Sequence, residues 1–191
     1  MGKFKESQTA KNLLISHAFE AQANARYRFF AKKAKTDGFV QIANFFAETA
    51  EQEFEHSLRF FKFFNGGELE ITASFLTGVI KGTYENLLAS AELEKKVGVA
   101  MYPKFAQIAR DEQFQRAADL WDAITIAELQ HEKSFLKLAD NIQTGNVFKR
   151  NNKVIWRCGK CGYLHEGTQA PDKCPACVHP IDFFEIMCEP W

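Results

Sequence analysis

Apolar residues recur at helical spacing through most of the chain. Across residues 42–63, for example, one stripe at this spacing contains Ile42, Phe46, Phe60 and Phe63 together with Thr49, Glu53 and His56, which is the pattern of a helix with one buried face. Breakers are sparse, and the clearest are Asp37-Gly38 and Gly66-Gly67. Residues 68–82 lack this periodicity and form a long connection. We therefore predict four long helices between residues 7 and 145, joined by two short connections and one long crossover, as in a four-helix bundle.

The helical region contains an internal repeat. The segment Phe30–Phe39 resembles Phe105–Phe114, which lies 75 residues later. Glu20 and Glu94, by contrast, are separated by 74 residues, so one extra residue must be accommodated after Glu94. We predict that the third helix absorbs it as a π-bulge near Gly98, because such bulges are a common way to insert one residue and often accompany functional sites.

A carboxylate and histidine pattern occurs in both repeats, on the predicted inward faces of the helices. Each repeat carries a glutamate on its first helix and Glu-x-x-His on its second. The predicted ligands are Glu20, Glu53, His56, Glu94, Glu128 and His131. Buried carboxylates are costly without partners, so four in one layer require cations to neutralise them. The pattern predicts a di-metal carboxylate site, and its oxygen and imidazole donors suit iron or manganese.

Three other inward-facing residues lie near the predicted ligands. Tyr27 and Tyr102 are related by the repeat, and they either hydrogen-bond the ligand carboxylates or pack against them. His17 has no counterpart in the second repeat. We therefore interpret His17 as a hydrogen-bonded core histidine and not as a ligand.

The C-terminal segment carries a second set of metal-binding residues. Cys158 and Cys161 form one Cys-x-x-Cys pair, and Cys174 and Cys177 form another after twelve intervening residues. This spacing is typical of a tetrathiolate site that holds either iron or structural zinc. Cys188 has no such partner and is not a predicted ligand.

These patterns predict a mainly α protein with two domains. We place a four-helix bundle at residues 1–146, a polar linker at 147–153 and a small metal-bound domain with short β-strands at 154–191. The last forty or so residues are too few for a self-sufficient core, so the metal is expected to hold that domain together. Trp156 and Phe184 are expected to cover the metal site.

Composition narrows the classes of function. Lys+Arg and Asp+Glu both number 24, and a formal net charge of zero disfavours a nucleic-acid-binding protein. The sequence has no apolar run approaching the roughly 18 residues of a membrane span, and its N-terminus has no signal-peptide pattern. An odd number of cysteines, five, without a secretion signal favours metal thiolates in a reducing cytoplasm over disulfides.

From Glu20 to the cysteine-rich tail, the whole chain resembles the rubrerythrins, in which a ferritin-like bundle precedes a rubredoxin-like domain. The resemblance implies two non-haem irons in the bundle, with or without an oxo bridge, and one iron in the tetrathiolate site. It implies a peroxidase that reduces hydrogen peroxide to water and protects against oxidative stress. Electrons would come from NAD(P)H through separate reductase or rubredoxin-type donors. A homodimer or higher oligomer is also implied, with the rubredoxin-like domain of one chain near the di-iron site of another.

The resemblance also implies roles for individual residues. It assigns terminal positions to Glu20 and Glu94, bridging positions to Glu53 and Glu128, and histidine positions on the first and second irons to His56 and His131. The chain departs from the family pattern at Val97, where the family has a second carboxylate that binds the first iron in the oxidised state. Without that carboxylate, the first iron is expected to stay on His56 or to take a solvent ligand.

Functions from different classes remain open on the sequence. The peroxidase leads, and the absence of a carboxylate at Val97 leaves a ferroxidase or oxygen-reducing di-iron protein, or an iron-handling protein, as the alternative. The appended cysteine domain argues against storage, because a storage shell needs no internal electron donor. A third interpretation is a non-catalytic binding module with structural zinc in its tail.

Overall fold

The computed structural model describes residues 2–188, most of which form a helical bundle. A single turn, α1 (Gly2–Lys5), precedes the long helices. These are α2 (Gln8–Thr36), α3 (Val40–Phe61), α4 (Thr83–Lys96) with its continuation α5 (Tyr102–Asp111), and α6 (Gln115–Gln143). The predicted mainly α fold is confirmed. The outermost residues of the two predicted domains, 1 and 189–191, lie outside the described residues.

The bundle consists of two helical hairpins that face each other. Helix α2 packs against α3, and α4 and α5 pack against α6. Ser7 caps the start of α2 by accepting a 3.0 Å hydrogen bond from the Ala10 N–H. The short turn after α2 needs a left-handed residue, and Gly38 provides it with φ of +86°. The crossover then runs over α2, where the Leu76 carbonyl accepts hydrogen bonds from Gln22 (3.2 Å) and Arg26 (3.0 Å).

The predicted π-bulge is present between α4 and α5. Residues Val97–Met101 form a π-helical turn, and the N–H of Tyr102 bonds to the carbonyl of Val97. The corresponding part of the first repeat lies within the uninterrupted helix α2. Pro103 follows at the start of α5, where a missing N–H is tolerated. The extra residue counted in the sequence is therefore absorbed where the repeat spacing indicated.

A small antiparallel sheet forms the C-terminal domain. Its strands β1 (Lys149–Cys158), β2 (Leu164–Gln169) and β3 (Phe184–Ile186) are arranged in the order β2-β1-β3. Strand β1 begins inside the predicted linker 147–153, because Lys149 pairs with Gln169 and the Phe148 carbonyl accepts from the Ala170 N–H at 2.9 Å. Only residues 147 and 148 of that predicted linker precede the strand.

The C-terminal domain contacts the end of the bundle where α2 turns into α3. Phe39 stacks on Phe148 with ring centroids 6.2 Å apart, and Gln41 donates a 3.3 Å hydrogen bond to the Val147 carbonyl. Glu53 lies 13 residues beyond Val40, which corresponds to about 20 Å along the helix at a rise of about 1.5 Å per residue. The two metal-binding regions of one chain are therefore well separated along α3.

Two repeat-related carboxylates tie the hairpins together. Glu112, which follows α5, accepts hydrogen bonds at the start of α2 from the N–H (2.8 Å) and hydroxyl (2.6 Å) of Thr9. Asp37, which follows α2, accepts equivalent bonds at the start of α4 from the N–H (3.1 Å) and hydroxyl (2.7 Å) of Thr83. Each hairpin thus caps the first helix of the other, which satisfies amide groups that a helix start leaves free. These two caps were not predicted from the sequence.

Replacing Glu112 with glutamine is expected to lower the free energy of unfolding of the bundle by about 1–2 kcal/mol, the usual effect of a lost helix cap. Burial alone would raise the pKa of Glu112, but hydrogen bonds from Thr9 and Gln8 hold that pKa below its usual range. Because the folded-state pKa is the lower one, the stabilisation is present above the unfolded-state pKa of about 4.3 and disappears as the pH falls through the folded-state value.

Chemical denaturation at neutral and at acidic pH measures this effect. The matched control is Asp111→Asn, which changes the exposed neighbouring carboxylate. An equal loss in both variants, or a loss that persists when the carboxylates are protonated, would contradict the role of Glu112.

Within residues 2–188, the helices are all too short or too polar to span a membrane.

Candidate functional site

The six predicted Glu and His ligands converge in the middle of the bundle. Helix α2 contributes one residue, α4 one, and α3 and α6 two each. They are Glu20 on α2, Glu53 and His56 on α3, Glu94 on α4, and Glu128 and His131 on α6. All are buried except His56, which is partly buried. The i, i+3 spacing on α3 and α6 places each Glu and His on adjacent turns of one helix face.

Glu53 and Glu128 stand between the two histidines. His56 Nδ1 lies 2.9 Å from Glu53 Oε2 and 3.1 Å from Glu128 Oε1. His131 Nδ1 lies 3.0 Å from Glu53 Oε1 and 3.5 Å from Glu128 Oε2. Each carboxylate therefore presents one oxygen to each histidine, as a carboxylate that bridges two ions does.

The donor atoms form two overlapping groups. In each group, one donor atom from every residue lies within 4.8 Å of the others. The first group contains Glu20, Glu53, His56 and Glu128, and the second contains Glu53, Glu94, Glu128 and His131. Because Glu53 and Glu128 belong to both groups, the arrangement describes two neighbouring metal positions that share two carboxylates.

Unsatisfied polar atoms show that this donor set fits metal ions. Among the described residues, buried atoms without a hydrogen-bond partner include Glu53 Oε1, both carboxylate oxygens of Glu128, and His131 Nδ1. These nitrogen and oxygen atoms lie close to one another, but their geometry is not that of a hydrogen bond. Buried polar atoms are rarely left unpaired, so a concentration of them in one layer indicates ligands that face common cations.

Without metal, protons balance the charge of the cluster. Burial raises the pKa of Glu20 and Glu94 well above the usual range, and the charges of Glu128 and Glu53 raise both further. Burial acts to lower the pKa of His56, yet the carboxylates of Glu128 and Glu53 raise it to about 11. The same opposing effects raise the pKa of His131 to about 9. Metal binding must displace these protons, so metal affinity rises with pH.

The two tyrosines hydrogen-bond the ligand carboxylates, which decides between the two interpretations left open by the sequence. The Tyr27 hydroxyl donates to Glu94, and the Tyr102 hydroxyl donates to Glu20. Each tyrosine thus holds the carboxylate supplied by the other repeat. Burial raises the pKa of both phenols, so they remain protonated donors.

Other neighbours orient the histidines. His17 Nδ1 lies 2.8 Å from Ser57 Oγ and 3.2 Å from the Ser57 carbonyl, as expected of a hydrogen-bonded core histidine. His131 Nε2 lies 3.0 Å from Gln52 Oε1, and this contact fixes the ring with Nδ1 toward the carboxylates. The sequence offered no signal for Gln52, because it lies on the exposed face of α3.

The π-helical turn lies directly against the cluster. A Cβ atom at Gly98 would lie 3.2 Å from Cβ of Glu128 and 3.3 Å from the Leu129 side chain. Because glycine has no side chain, the π-helical turn can pack this closely against α6. Val97 is buried in an apolar cluster that also contains Tyr102 and Phe60. Position 97, for which the resemblance implies a carboxylate in the family, is therefore apolar in this chain.

The four predicted cysteines form a second cluster. Cys158 Sγ lies 3.7 Å from Cys177 Sγ, and Cys161 Sγ lies 3.6 Å from Cys174 Sγ. Four sulfurs around one ion at about 2.3 Å would be about 3.8 Å apart, so the spacing fits a tetrahedral metal site. The cluster lies against the buried rings of Trp156 and Phe184, as predicted. Cys188 is exposed and outside the cluster.

Backbone amides surround the sulfurs. The N–H groups of Tyr163 and His179 are within hydrogen-bonding reach of the sulfurs of Cys161 and Cys177. Burial would raise the pKa of Cys174, but the N–H groups of Cys177 and Ala176 help to lower it to about 7. Such hydrogen bonds stabilise thiolates and tune the potential of an iron they hold.

Comparisons with known proteins agree with this geometry. The family model described as rubrerythrin matches residues 11–139, and the model of the rubrerythrin rubredoxin-like domain matches residues 156–185. Together with the two ligand clusters, these matches give the chain a di-iron centre and a tetrathiolate iron centre.

Similar proteins extend over nearly the whole chain. A rubrerythrin from Nitratidesulfovibrio vulgaris is 51% identical over 191 residues and covers 100% of both chains. A rubrerythrin from Porphyromonas gingivalis is 47% identical and covers 96% of this chain and 92% of its own. The structure of nigerythrin in its fully reduced state aligns with a TM-score of 0.63 at 29% identity, over 94% of this chain and 86% of that one. The resemblance seen in the motifs is thereby confirmed, and the chain belongs to the rubrerythrin family.

Proposed function

We propose that this protein is a non-haem di-iron peroxidase that reduces hydrogen peroxide to water and protects the cell from oxidative stress. The observation that carries the proposal is the pair of neighbouring metal positions that share Glu53 and Glu128, in a chain that also holds a tetrathiolate site. Glu53 and Glu128 would hold two ions next to each other, and the four cysteines would hold the iron that returns the electrons.

The two groups of donor atoms suggest how the irons are held. Glu20 and His56 would bind the first iron, Glu94 and His131 would bind the second, and Glu53 and Glu128 would bridge them. When bound, the irons supply two electrons to the O–O bond and positive charge that stabilises the departing oxygen.

The protein side chains keep this centre ordered and dry. Tyr27 and Tyr102 hold the terminal carboxylates through their hydroxyl groups. Gln52 fixes the ring of His131 from the surface side. Buried aromatic rings close the core above and below the ligand layer, which excludes bulk water and strengthens electrostatic interactions within it.

The separation between the two metal-binding regions of one chain favours electron transfer between the chains of an oligomer. Within one chain, the C-terminal domain contacts the beginning of α3, about 20 Å along that helix from Glu53. We propose a homodimer or higher oligomer in which the tetrathiolate site of one chain serves the di-iron site of another. A separate reductase or rubredoxin-type donor, ultimately supplied by NAD(P)H, would reduce the tetrathiolate iron at its exposed ligand Cys161. Reduced thiolate ligands are consistent with a cytoplasmic location.

The apolar environment of Val97 supports a modified version of the family's chemistry. Because position 97 offers no oxygen ligand and His56 already faces both bridging carboxylates, the first iron would keep His56 in each oxidation state. This same observation favours the second candidate function, a ferroxidase or oxygen-reducing protein, in which peroxide is not the preferred oxidant.

Stopped-flow mixing of the reduced, iron-loaded protein with hydrogen peroxide, and separately with dioxygen, tests the proposal. We expect fast reoxidation of both centres by peroxide and slow reoxidation by dioxygen. Val97→Glu should increase the rate with peroxide by about tenfold, which corresponds to about 1.4 kcal/mol from one additional ligand interaction. Val99→Glu is the matched control, because Val99 is 58% exposed and two residues away.

Two outcomes would count against these expectations. Sluggish reaction of the natural protein with peroxide, together with fast reaction with dioxygen, would replace the peroxidase with the second candidate. If Val97→Glu leaves both the rate and the spectrum of the oxidised iron unchanged, position 97 does not control the chemistry of the first iron.

A further inference from the structure

A chain of aromatic side chains leads away from the predicted first iron. It begins at Tyr102, whose hydroxyl donates to Glu20. The Tyr102 ring contacts Phe60 at 5.6 Å and Phe105 at 6.4 Å between centroids. Both phenylalanines then contact Trp121, at 5.9 Å and 5.7 Å. These are ordinary contact distances between aromatic rings, so one ring separates Tyr102 from Trp121 along either route.

The other repeat has the same arrangement around Tyr27 but differs in one residue. Tyr27 donates to Glu94, and its ring lies 5.3 Å from Phe135, 6.0 Å from Phe46 and 6.5 Å from Phe30. With the 75-residue offset between the repeats, Phe30 corresponds to Phe105, Phe46 to Trp121 and Phe60 to Phe135. Among Tyr102 and the three aromatic residues that follow it, Trp121 alone differs in type from its counterpart in the other repeat.

This difference changes the redox chemistry of the two sides. Phenylalanine is very hard to oxidise, whereas an indole ring gives up one electron about as readily as a phenol. The Trp121 side chain is fully buried, and its indole N–H donates a 3.0 Å hydrogen bond to Ser16 Oγ. Phe105, which contacts both Tyr102 and Trp121, is partly exposed. The route from Tyr102 thus ends in an oxidisable buried ring that contacts a partly exposed one, while the route from Tyr27 ends in phenylalanines.

We propose that Tyr102 and Trp121 form a one-electron reserve for the di-iron site, and this rests on the proposed peroxidase function. Hydrogen peroxide needs two electrons and two protons to become two molecules of water. A site with one ferrous and one ferric ion supplies only one electron. Tyr102 supplies the second electron and passes its phenolic proton to Glu20. Both protons that peroxide takes up come from solvent, and the phenolic proton stays on Glu20.

Trp121 then takes over the oxidising equivalent. One electron moves from the indole of Trp121 to the oxidised Tyr102, and the proton returns from Glu20 to the phenol oxygen. Tyr102 is thereby restored, and the missing electron resides on Trp121. From there an external reductant can replace it through the partly exposed Phe105. The reserve would protect the site when the supply of electrons falls behind the supply of peroxide.

Electron paramagnetic resonance of the iron-loaded protein tests the proposal. The di-iron site is brought to the half-reduced state, mixed with one equivalent of hydrogen peroxide and frozen. We expect an organic radical signal in the natural protein and, after the sample is thawed in air so that dioxygen can react with the tryptophan radical, oxygen addition to Trp121 in peptide mass spectra. Tyr102→Phe should abolish both, and Trp121→Phe should leave a tyrosyl signal with no tryptophan component. Trp121→Phe reproduces the residue of the other repeat, and Tyr84→Phe, at a partly buried tyrosine outside the two donor groups, is the matched control that keeps both signals.

Iron content and optical reoxidation are recorded for each variant, so the possible failures are distinguishable. If peroxide reoxidises the site but no radical forms, or if Tyr102→Phe and Trp121→Phe leave the radical unchanged, the reserve is disproved and the peroxidase stands. If peroxide does not reoxidise the site of the natural protein, the proposed function fails and the reserve fails with it.

Discussion

Replacing Cys174 with serine is expected to unfold the C-terminal domain while the helical bundle stays folded. Among its residues up to 188, the domain has a core of five buried residues, and two of these are metal-site cysteines. A structural metal in so small a domain contributes about 10–16 kcal/mol of binding free energy that acts as folding free energy. The core clusters of the bundle are separate from this domain, so the helices do not depend on it.

The functional effect of Cys174→Ser should be equally large. Steady-state peroxide reduction with an external donor is expected to stop, because electrons have no entry point. A single turnover of the chemically pre-reduced di-iron site should survive. Circular dichroism of the helices, limited proteolysis of residues 149–188 and iron content measure the three parts of this expectation.

Cys188→Ser is the matched control for this experiment, since Cys188 is exposed and lies outside the cluster. Equal damage in both variants, or undiminished steady-state turnover in Cys174→Ser, would show that the tetrathiolate site is neither the support of the domain nor the electron entry.

Replacing Glu53 with glutamine should remove the di-iron centre and leave the tetrathiolate iron in place. Glu53 is fully buried and lies about 3 Å from both histidines, through different oxygens. A carboxamide keeps the shape but removes the charge and one acceptor oxygen. Because even the loss of a supporting residue costs 10–100-fold in metal affinity, loss of this bridging ligand should cost at least about 100-fold.

Iron content per chain and the rate of reoxidation by peroxide report the effect of Glu53→Gln. The matched control is Glu55→Gln, because Glu55 lies two residues away on the exposed face of the same helix. If Glu53→Gln retains two irons in the bundle, or if Glu55→Gln loses as much iron, Glu53 does not bridge the two ions.

Several structural features followed from the sequence because they depend only on residue spacing. The difference between a 74-residue and a 75-residue repeat located the π-helical turn at Gly98. The spacing of Glu53 and His56 placed both on one face of α3. In an α-helix, the number of residues between two positions determines whether their side chains lie on the same face.

Other features depended on contacts that spacing does not determine. The tyrosine hydroxyl contacts required side-chain directions across two hairpins, so Tyr27 could be assigned to the site but not to Glu94. The start of β1 inside the predicted linker depends on pairing with Gln169, because the polar residues from Lys149 to Lys153 show no strand alternation of their own. The caps by Asp37 and Glu112 were visible in principle, since both acids occupy matching repeat positions beside helix ends.

The π-helical turn between α4 and α5 makes the surroundings of the two metal positions different. The ligands follow an approximate twofold symmetry, yet residues Val97–Met101 have no π-helical counterpart in α2. The π-helical turn brings Gly98 against Glu128, whereas the helix that packs against α3 in the first pair has no π-helical turn. Two ions of the same element would thus be inequivalent, and spectroscopy of the loaded protein should resolve them as two distinct species instead of one doubled signal.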